Sequence, residues 1–438
     1  MSDQTSQNQS DEQGLSVDQG SVVGQELPVD QSQPAGQSLS QNQPLSQVSQ
    51  GQSANQSQLA DLQNQPFQNQ PFQDQPPSLA QKEQNAKPDY QAILRQEIQE
   101  LKDKVAAASM PEELRAKANK DITALERSVE VGNYDEKYEK VSKYIDWILQ
   151  IPWQAESEDR LDIDQAKQIF DKHHYGMQEV KNRFLEYIAV LNLRKRNYEN
   201  EEFGAPVLLL VGLVGTGKTT FAYSLAEALN RPIVRIPFGG MGSAKELRGD
   251  SRLLLGSEPG MVVKGISETG VRNPVILLDE IDRVSEAANR DIMGVLVELL
   301  DPAQNHAFRD AYIDYPVNLS HAIFIATANN TTKIATAVLD RLEKIEMPSY
   351  TDQEKMVIAR EYVLPQLLEQ AGLKPGQFKI EEDVWPQMVR PLGYDAGIRT
   401  LQRTLQGAVR KAARIIVERG FDQVVINQDN KKIFLPSY

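Results

Sequence analysis

The segment GLVGTGKTT, Gly212 to Thr220, constrains this chain more tightly than any other. It fits the G-x-x-x-x-G-K-[ST] pattern, in which glycines let backbone N–H groups wrap phosphate oxygens. The pattern carries that meaning only where a buried strand leads in and a helix leads out. Both flanks are present: Val207 to Val211 is a short apolar run of the kind that forms a buried parallel strand, and Thr219 to Leu229 has helical character. The positive end of that helix adds to the anion site. Gly212, Gly215, Thr216, Gly217, Lys218, Thr219 and Thr220 are therefore the candidate phosphate-binding residues. Lys218 would reach the β- and γ-phosphates of a nucleotide, and the Thr219 hydroxyl would ligate Mg²⁺.

Farther along, VILLDEID (Val275 to Asp282) reads as an apolar strand ending in carboxylates. Such pairs are common and usually solvated, but after a phosphate loop this one fits a Walker B element. Asp279 would hold Mg²⁺ through water. Glu280 would polarise the attacking water, because general-base catalysis needs a carboxylate beside the nucleophile. Another apolar strand ends at Thr327-Ala328-Asn329. Asn329 is either a water-positioning amide between the two earlier motifs or a turn former, since Asn-Asn is good turn chemistry. Arg341, in VLDRLEKIEM, and Arg399, in YDAGIRTL, are candidates for the cations that nucleotide hydrolysis needs near the γ-phosphate.

Pro232 to Ile236 and Ala322 to Ala326 read as further buried strands, with helical stretches between. This alternation predicts an α/β P-loop core over 161–350, a parallel sheet with helices on both faces. After Tyr350 the buried strands stop. Thr351 to Glu369 and Ala396 to Glu418 read as helices, which predicts a small helical lid over 351–438. Within it, VVI at 424–426 and IFL at 433–435 suggest a closing hairpin. Upstream, Leu94, Ile98, Leu101 and Val105 form a narrow helical stripe of coiled-coil type, which packs either on the chain's own next helices or on another subunit. Residues 89–153 read as a helical N-terminal region with Trp147 and Trp153 as packing anchors, and 154–160 as a polar linker. Residues 1–88 are dominated by Gln, Ser, Asn and Pro, and NQPFQ occurs twice, from Asn64 and from Asn69. Too few core-forming residues are present to recover the ordering entropy, so a disordered tail is expected. A self-associating arm is the sharper reading, against which the prolines argue.

Composition narrows the function classes. A net charge of −14 argues against a generally basic nucleic-acid-binding surface. With no cysteine, disulfides, thiolate nucleophiles and cysteine zinc sites are excluded. The start, MSDQTSQNQS, lacks the basic-then-apolar pattern of a signal peptide. No run approaches the roughly 18 apolar residues of a membrane span. A soluble cytoplasmic protein with neither membrane nor nucleic-acid partner is the expectation.

From about Met110 onward the chain resembles the Lon proteases, more closely than AAA+ proteins in general. The resemblance rests on MPEEL, YIDWILQIPW, HHYGMQEVKNRFLEYIAV, GLVGTGKTT, ELRGDSR, NPVILLDEID, VELLDPAQNHAFRDAYI, FIATANN, LDRLEKIEMPSYTDQEK and GIRTLQR, in the family's order and at about its spacings. It implies an AAA+ fold that binds and hydrolyses ATP with Mg²⁺. Lys218 and Thr219 match Walker A, Asp279 and Glu280 match Walker B, Asn329 matches sensor 1, and Arg399 matches sensor 2. Arg341 matches the arginine finger, which in such rings acts on ATP held by the neighbouring subunit. His174, Tyr175 and Gly176 match the segment beside the adenine. The family forms hexameric rings that pull unfolded polypeptide through a central pore.

The chain departs from the family's pattern in several places. It stops at Tyr438, before any counterpart of the serine–lysine protease domain, so peptide-bond cleavage is not expected from this chain alone. The Gln-rich tail stands where the family has a globular N-terminal substrate domain. The pore-loop aromatic aligns with Leu254, between Leu253 and Leu255, which keeps the loop apolar without a flat ring. Leu213-Val214 stands where the family usually has two prolines. The leading reading is an ATP-driven unfoldase or remodelling ATPase. The next is the motor portion of a Lon-type protease whose peptidase is a separate subunit or is missing through truncation. A nucleotide-switched scaffold is a third, against which intact Glu280, Asn329, Arg341 and Arg399 weigh.

Overall fold

The computed structural model describes residues 90–131, 135–197, 205–254, 256–390 and 397–435; the Gln-rich stretch 1–88 and Leu255 lie outside them. Five parallel strands form the central sheet: β1 (Val207–Val211), β2 (Ile233–Pro237), β3 (Val275–Asp279), β4 (Ile323–Ala328) and β5 (Leu342–Glu346), in spatial order β2-β3-β4-β1-β5. The three inner strands, β1, β3 and β4, are near-continuous apolar runs because both faces are covered, whereas the edge strands β2 (IVRIP) and β5 (LEKIE) carry exposed charges. Leu209, Ile236, Ile276, Leu278 and Phe324 enter one core, and Leu208, Leu210, Leu277, Ile323 and Ile325 enter the other.

The first core is closed by α1 (Tyr90–Ala107), α2 (Glu112–Val131), α3 (Asp135–Gln150) and, farther along the chain, α7 (Met261–Thr269) and α8 (Asn289–Leu299). The stripe Ile98, Leu101 and Val105 is buried there against α2 and α3, so its partner is this chain's own helices. The second core is closed by α4 (Ile163–His173), α5 (Gln178–Asn197) and α6 (Lys218–Leu229). Within the segment 154–160, read as a polar linker, residues 155–160 are strapped across the sheet's N-terminal edge. Buried Arg231 forks onto Asp159 at 2.6 and 2.8 Å and also donates to the carbonyls of Asn273 and His321. Asn273 in turn holds Ser157.

The register brings the sheet's C-terminal ends together. Val211 pairs with Ala328 and Leu278 with Ala326, so Gly212, Asn329 and Asp279 emerge side by side. In open parallel sheets this edge is where ligands bind.

The lid begins with α9 (Asp352–Ile358), whose capping box joins Thr351 and Glu354. It continues through a π-turn (Ala359–Val363) and Leu364–Gln370. Its last long helix is α10 (Arg399–Arg419), which ends at left-handed Gly420. Two expectations fail here. Strands do not stop at Tyr350: β6 (Phe378–Ile380) and β7 (Val424–Ile426) pair in parallel. The hairpin between 424–426 and 433–435 does not form, and Lys431–Phe434 is a helical turn. Asn427 and Asn430 exchange side-chain-to-backbone hydrogen bonds at 2.9 and 3.1 Å, a local closure that turns the chain away from β7. Phe434 is then buried in the second core. Among the described residues no helix is long and apolar enough to cross a membrane.

Candidate functional site

The loop between β1 and α6 depends on its glycines. Gly215 and Gly217 sit at φ +83° and +94°, the left-handed region that disfavours side chains. A Cβ on Gly212 would lie 2.7 Å from the Met347 carbonyl oxygen. Thr216 and Thr220 fasten the loop by donating to Leu213 O and Gly217 O. Lys218 opens α6 and is nearly buried. Its Nζ donates to Gly212 O (2.7 Å), Leu213 O (3.0 Å) and Asn329 Oδ1 (3.1 Å). Burial lowers its pKa, and Asp282, Glu280 and Asp279 act in the opposite direction. Three movable donors thus face the loop's interior, where an anion would compete with neutral carbonyls.

Beside them, Asp279 Oδ1 accepts from Thr327 Oγ1 (2.6 Å) and Thr219 Oγ1 (3.3 Å). Its Oδ2 accepts from Arg235 Nε (2.9 Å) and Nη2 (2.7 Å). Glu280 adopts φ 61°, ψ 49°, a left-handed conformation unusual for a non-glycine residue, with its N–H donated to Thr327 Oγ1 at 2.8 Å. Strain of this kind persists only where the surroundings enforce it, and it concentrates at functional sites. Here it turns the Glu280 carboxylate off the strand axis, 3.4 Å from Arg283 Nη1. Among the described residues at this sheet edge, Asn329 Nδ2 and Asp282 Oδ1 are buried without a hydrogen-bond partner. Of the two, Asn329 also lines the cavity described below.

The lid completes the cleft. Ile398 N–H donates to Gly215 O at 3.1 Å, and a Cβ on Gly397 would lie 2.4 Å from Val214 O, so only glycine lets the two backbones meet. Exposed Arg399 at the start of α10 then lines a cavity of about 200 Å³ together with Lys218, Thr219, Asp279, Glu280 and Asn329. An adjoining cavity of about 370 Å³ shares Gly217, Thr220, Ile398 and Gln402 and is walled by His174, Tyr175, Tyr223 and Tyr350. One elongated cleft therefore has a charged end and an aromatic end, the division a nucleotide requires.

His174 faces this cleft from the second core. It stacks on Phe221 with centroids 3.6 Å apart and pairs Nε2 with Ser224 Oγ at 2.9 Å. Burial depresses its pKa from 6.5 to about 3. The folded chain therefore holds it neutral while the unfolded chain protonates below 6.5. Stability from this group is intact above that pH and is lost as pH falls from 6.5 toward 3, by about 2 kcal/mol at pH 5. Thermal unfolding at pH 7.5 and pH 5 should show a smaller acid loss for His174→Phe than for the parent chain.

The residues also fit Mg²⁺. Among the described residues no three carboxylate or imidazole side chains gather as a self-contained metal cage. Magnesium at phosphates needs none, since one or two protein oxygens suffice. The Thr219 hydroxyl beside the Asp279 carboxylate supplies that oxygen chemistry at the mouth of the glycine cradle.

Comparison with known proteins decides what kind of module this is. Residues 208–350 match the model of the AAA family, "ATPase family associated with various cellular activities", and residues 369–424 match the Lon protease AAA+ ATPase lid domain. The chain carries the AAA+ ATPase portion of the Lon family. It is 38% identical to Lon protease 2 of Thermus thermophilus over 78% of this chain and 43% of that protein. It is 39% identical to the Lon protease of Bacillus thuringiensis, over 76% and 41%. With the Lon protease of Heliobacterium modesticaldum it shares 38% identity, over 82% and 42%. The chain thus spans about two-fifths of the length of these curated relatives.

Two sets of expected residues stand apart from this Lon-type cleft. Arg341 lines neither cavity; its guanidinium bonds Asp301 Oδ2 (3.0 Å) and Ala337 O (2.7 Å). Leu254 projects from the 251–257 loop with Leu253, both exposed. The base of that loop is tied to its surroundings. Arg252 bonds Asp121 and lies over the Tyr144 ring, and buried Asp310 accepts from Gly260 N–H. Sequence reading assigned no role to Thr327, Arg235, Tyr350 or Gly397. Signals for the first two were present: a hydroxyl inside the apolar strand IFIATA, and a charge in the middle of IVRIP.

Proposed function

We propose that this chain binds ATP with Mg²⁺ and hydrolyses it to drive the remodelling of polypeptides. The observation that carries this reading is the meeting of Lys218, Thr219, Asp279, Glu280, Asn329 and Arg399 on one cavity, roofed by lid backbone. Lys218, the glycine backbone and Arg399 bind the phosphates. Thr219 and Asp279 hold Mg²⁺, which neutralises phosphate charge when bound. Glu280 takes the proton of the attacking water, and Asn329 orients that water through its free Nδ2 donor. His174, Tyr175 and the other aromatic residues seat the base. Leu254 and its neighbour Leu255 are the proposed substrate contacts, with unfolded polypeptide as the partner. The cytoplasm is the proposed compartment.

Assembly into a ring, hexameric in the proposal, accounts for Arg341. An arginine placed outside its own chain's cleft is available to a neighbour's γ-phosphate, and Asp301 holds it ready. Arg341→Ala should keep nucleotide affinity within a few fold while lowering kcat about 10³-fold. Mixing it with Lys218→Ala chains should restore part of the turnover, because each Lys218→Ala subunit lends its arginine to an intact neighbouring site. Absence of any recovery, with full binding retained, would place Arg341 in a purely structural role beside Asp301.

A second reading is favoured by the relatives, each of which is named a protease. On it, the ATPase delivers polypeptide to a peptidase of the Lon type. A peptidase that associates with this chain and degrades protein only when Glu280 is intact would support it.

A further inference from the structure

We infer that Arg235 is a positioning residue for the metal-binding carboxylate, fixing Asp279 from the strand next door so that one of its oxygens faces Thr219. The inference rests on the nucleotide-site reading above and adds to it a residue that none of the motifs contains. Arg235 lies on β2, where Pro237 is level with Asp279 on β3. From two residues back it sends both Nε (2.9 Å) and Nη2 (2.7 Å) to the same oxygen, Asp279 Oδ2.

A carboxylate has about four acceptor positions, and here all are taken. Arg235 occupies those of Oδ2, while Thr327 (2.6 Å) and Thr219 (3.3 Å) occupy those of Oδ1. The two oxygens therefore have different partners. Thr327 is a buried hydroxyl that also accepts the Glu280 N–H. Thr219 is the long, replaceable contact on the phosphate side. Without Arg235, Oδ2 loses both of its partners among the described residues, and only the Oδ1 contacts to Thr327 and Thr219 restrain rotation about χ2. The metal-facing oxygen is then no longer presented in one place. A one-ångström misplacement of a group that must meet a rigidly octahedral ion is costly.

An alternative role for Arg235 is surface decoration, since its side chain is 51% exposed. Exposed ion pairs contribute little to stability. Here, however, the other partner is only 5% exposed, and the contact is a double, charge-assisted one. Exposure of the arginine also means that its replacement leaves the apolar core intact.

The test measures equilibrium binding of a fluorescent ADP analogue in EDTA and in saturating Mg²⁺, for the parent chain, Arg235→Ala and Arg235→Lys. The metal-free dissociation constant should stay within about twofold in all three and serves as the fold control. The gain in affinity on adding Mg²⁺ should fall at least fivefold in Arg235→Ala. It should fall partially in Arg235→Lys, which keeps the charge without the fork. The Mg²⁺ concentration for half-maximal ATPase should rise in parallel. An unchanged metal-dependent gain in both variants overturns the inference. A parent chain that binds no nucleotide in either condition overturns the nucleotide-site reading instead.

Discussion

Replacing Lys218 with alanine should weaken ATP binding about 10²-fold or more, the largest single loss expected from any side chain in the cleft. The residue is 8% exposed, and its three hydrogen bonds go to Gly212 O and Leu213 O of the phosphate loop and to Asn329 Oδ1 at the end of β4. Truncating a buried, charged hydrogen-bonding partner costs about 2–5 kcal/mol, and 2.7 kcal/mol already corresponds to about 10²-fold. The loop itself should survive, because its path is set by Gly215, Gly217 and the hydroxyls of Thr216 and Thr220. Titration with a fluorescent ATP analogue, alongside circular dichroism as a check on folding, measures the effect. Affinity within threefold of the parent would remove Lys218 from the phosphate site.

Glu280→Gln is expected to separate binding from chemistry. Glutamine has the same shape, so the left-handed backbone and the N–H to Thr327 Oγ1 remain as they are. What disappears is the capacity to accept a proton. General-base catalysis contributes typically about 10²–10⁴-fold, and kcat should fall by that much while ATP affinity changes by less than about threefold. Single-turnover hydrolysis of radiolabelled ATP reads the first quantity and equilibrium binding the second. A variant that turns over normally would move the base to another residue.

Much of this site was legible in the sequence because its chemistry is local. Glycines at positive φ, a lysine opening α6 and carboxylates ending an apolar strand each sit within a few residues of their cause. The inner strands were visible as apolar runs, since burial on both faces removes polar alternation, while the edge strand LEKIE carries no such signal. What could not be read depends on pairing between distant segments. Arg235 meets Asp279 only because β2 and β3 are neighbours, and Gly397 meets Gly215 only because the lid folds back. The partner of the Leu94–Val105 stripe was undecided for the same reason. The lid strand Phe378–Ile380 was missed because a three-residue segment carries too little periodicity, and Val424–Ile426 was read as a strand but given the wrong partner. The 424–435 hairpin was wrongly read because local Asn427–Asn430 hydrogen bonds outweighed two weak apolar runs. Arg341 is a further case: its sequence position marks it, while its contact with Asp301 outside the cleft appears only in the fold.

The most direct test of the account is the steady-state ATPase rate of the purified chain, with and without an unfolded protein, using Glu280→Gln as the blank. The account predicts Mg²⁺-dependent turnover well above the blank, rising when unfolded protein is added. Turnover no greater than the blank in either condition, in a chain that still binds ATP, would contradict it and favour a nucleotide-switched scaffold.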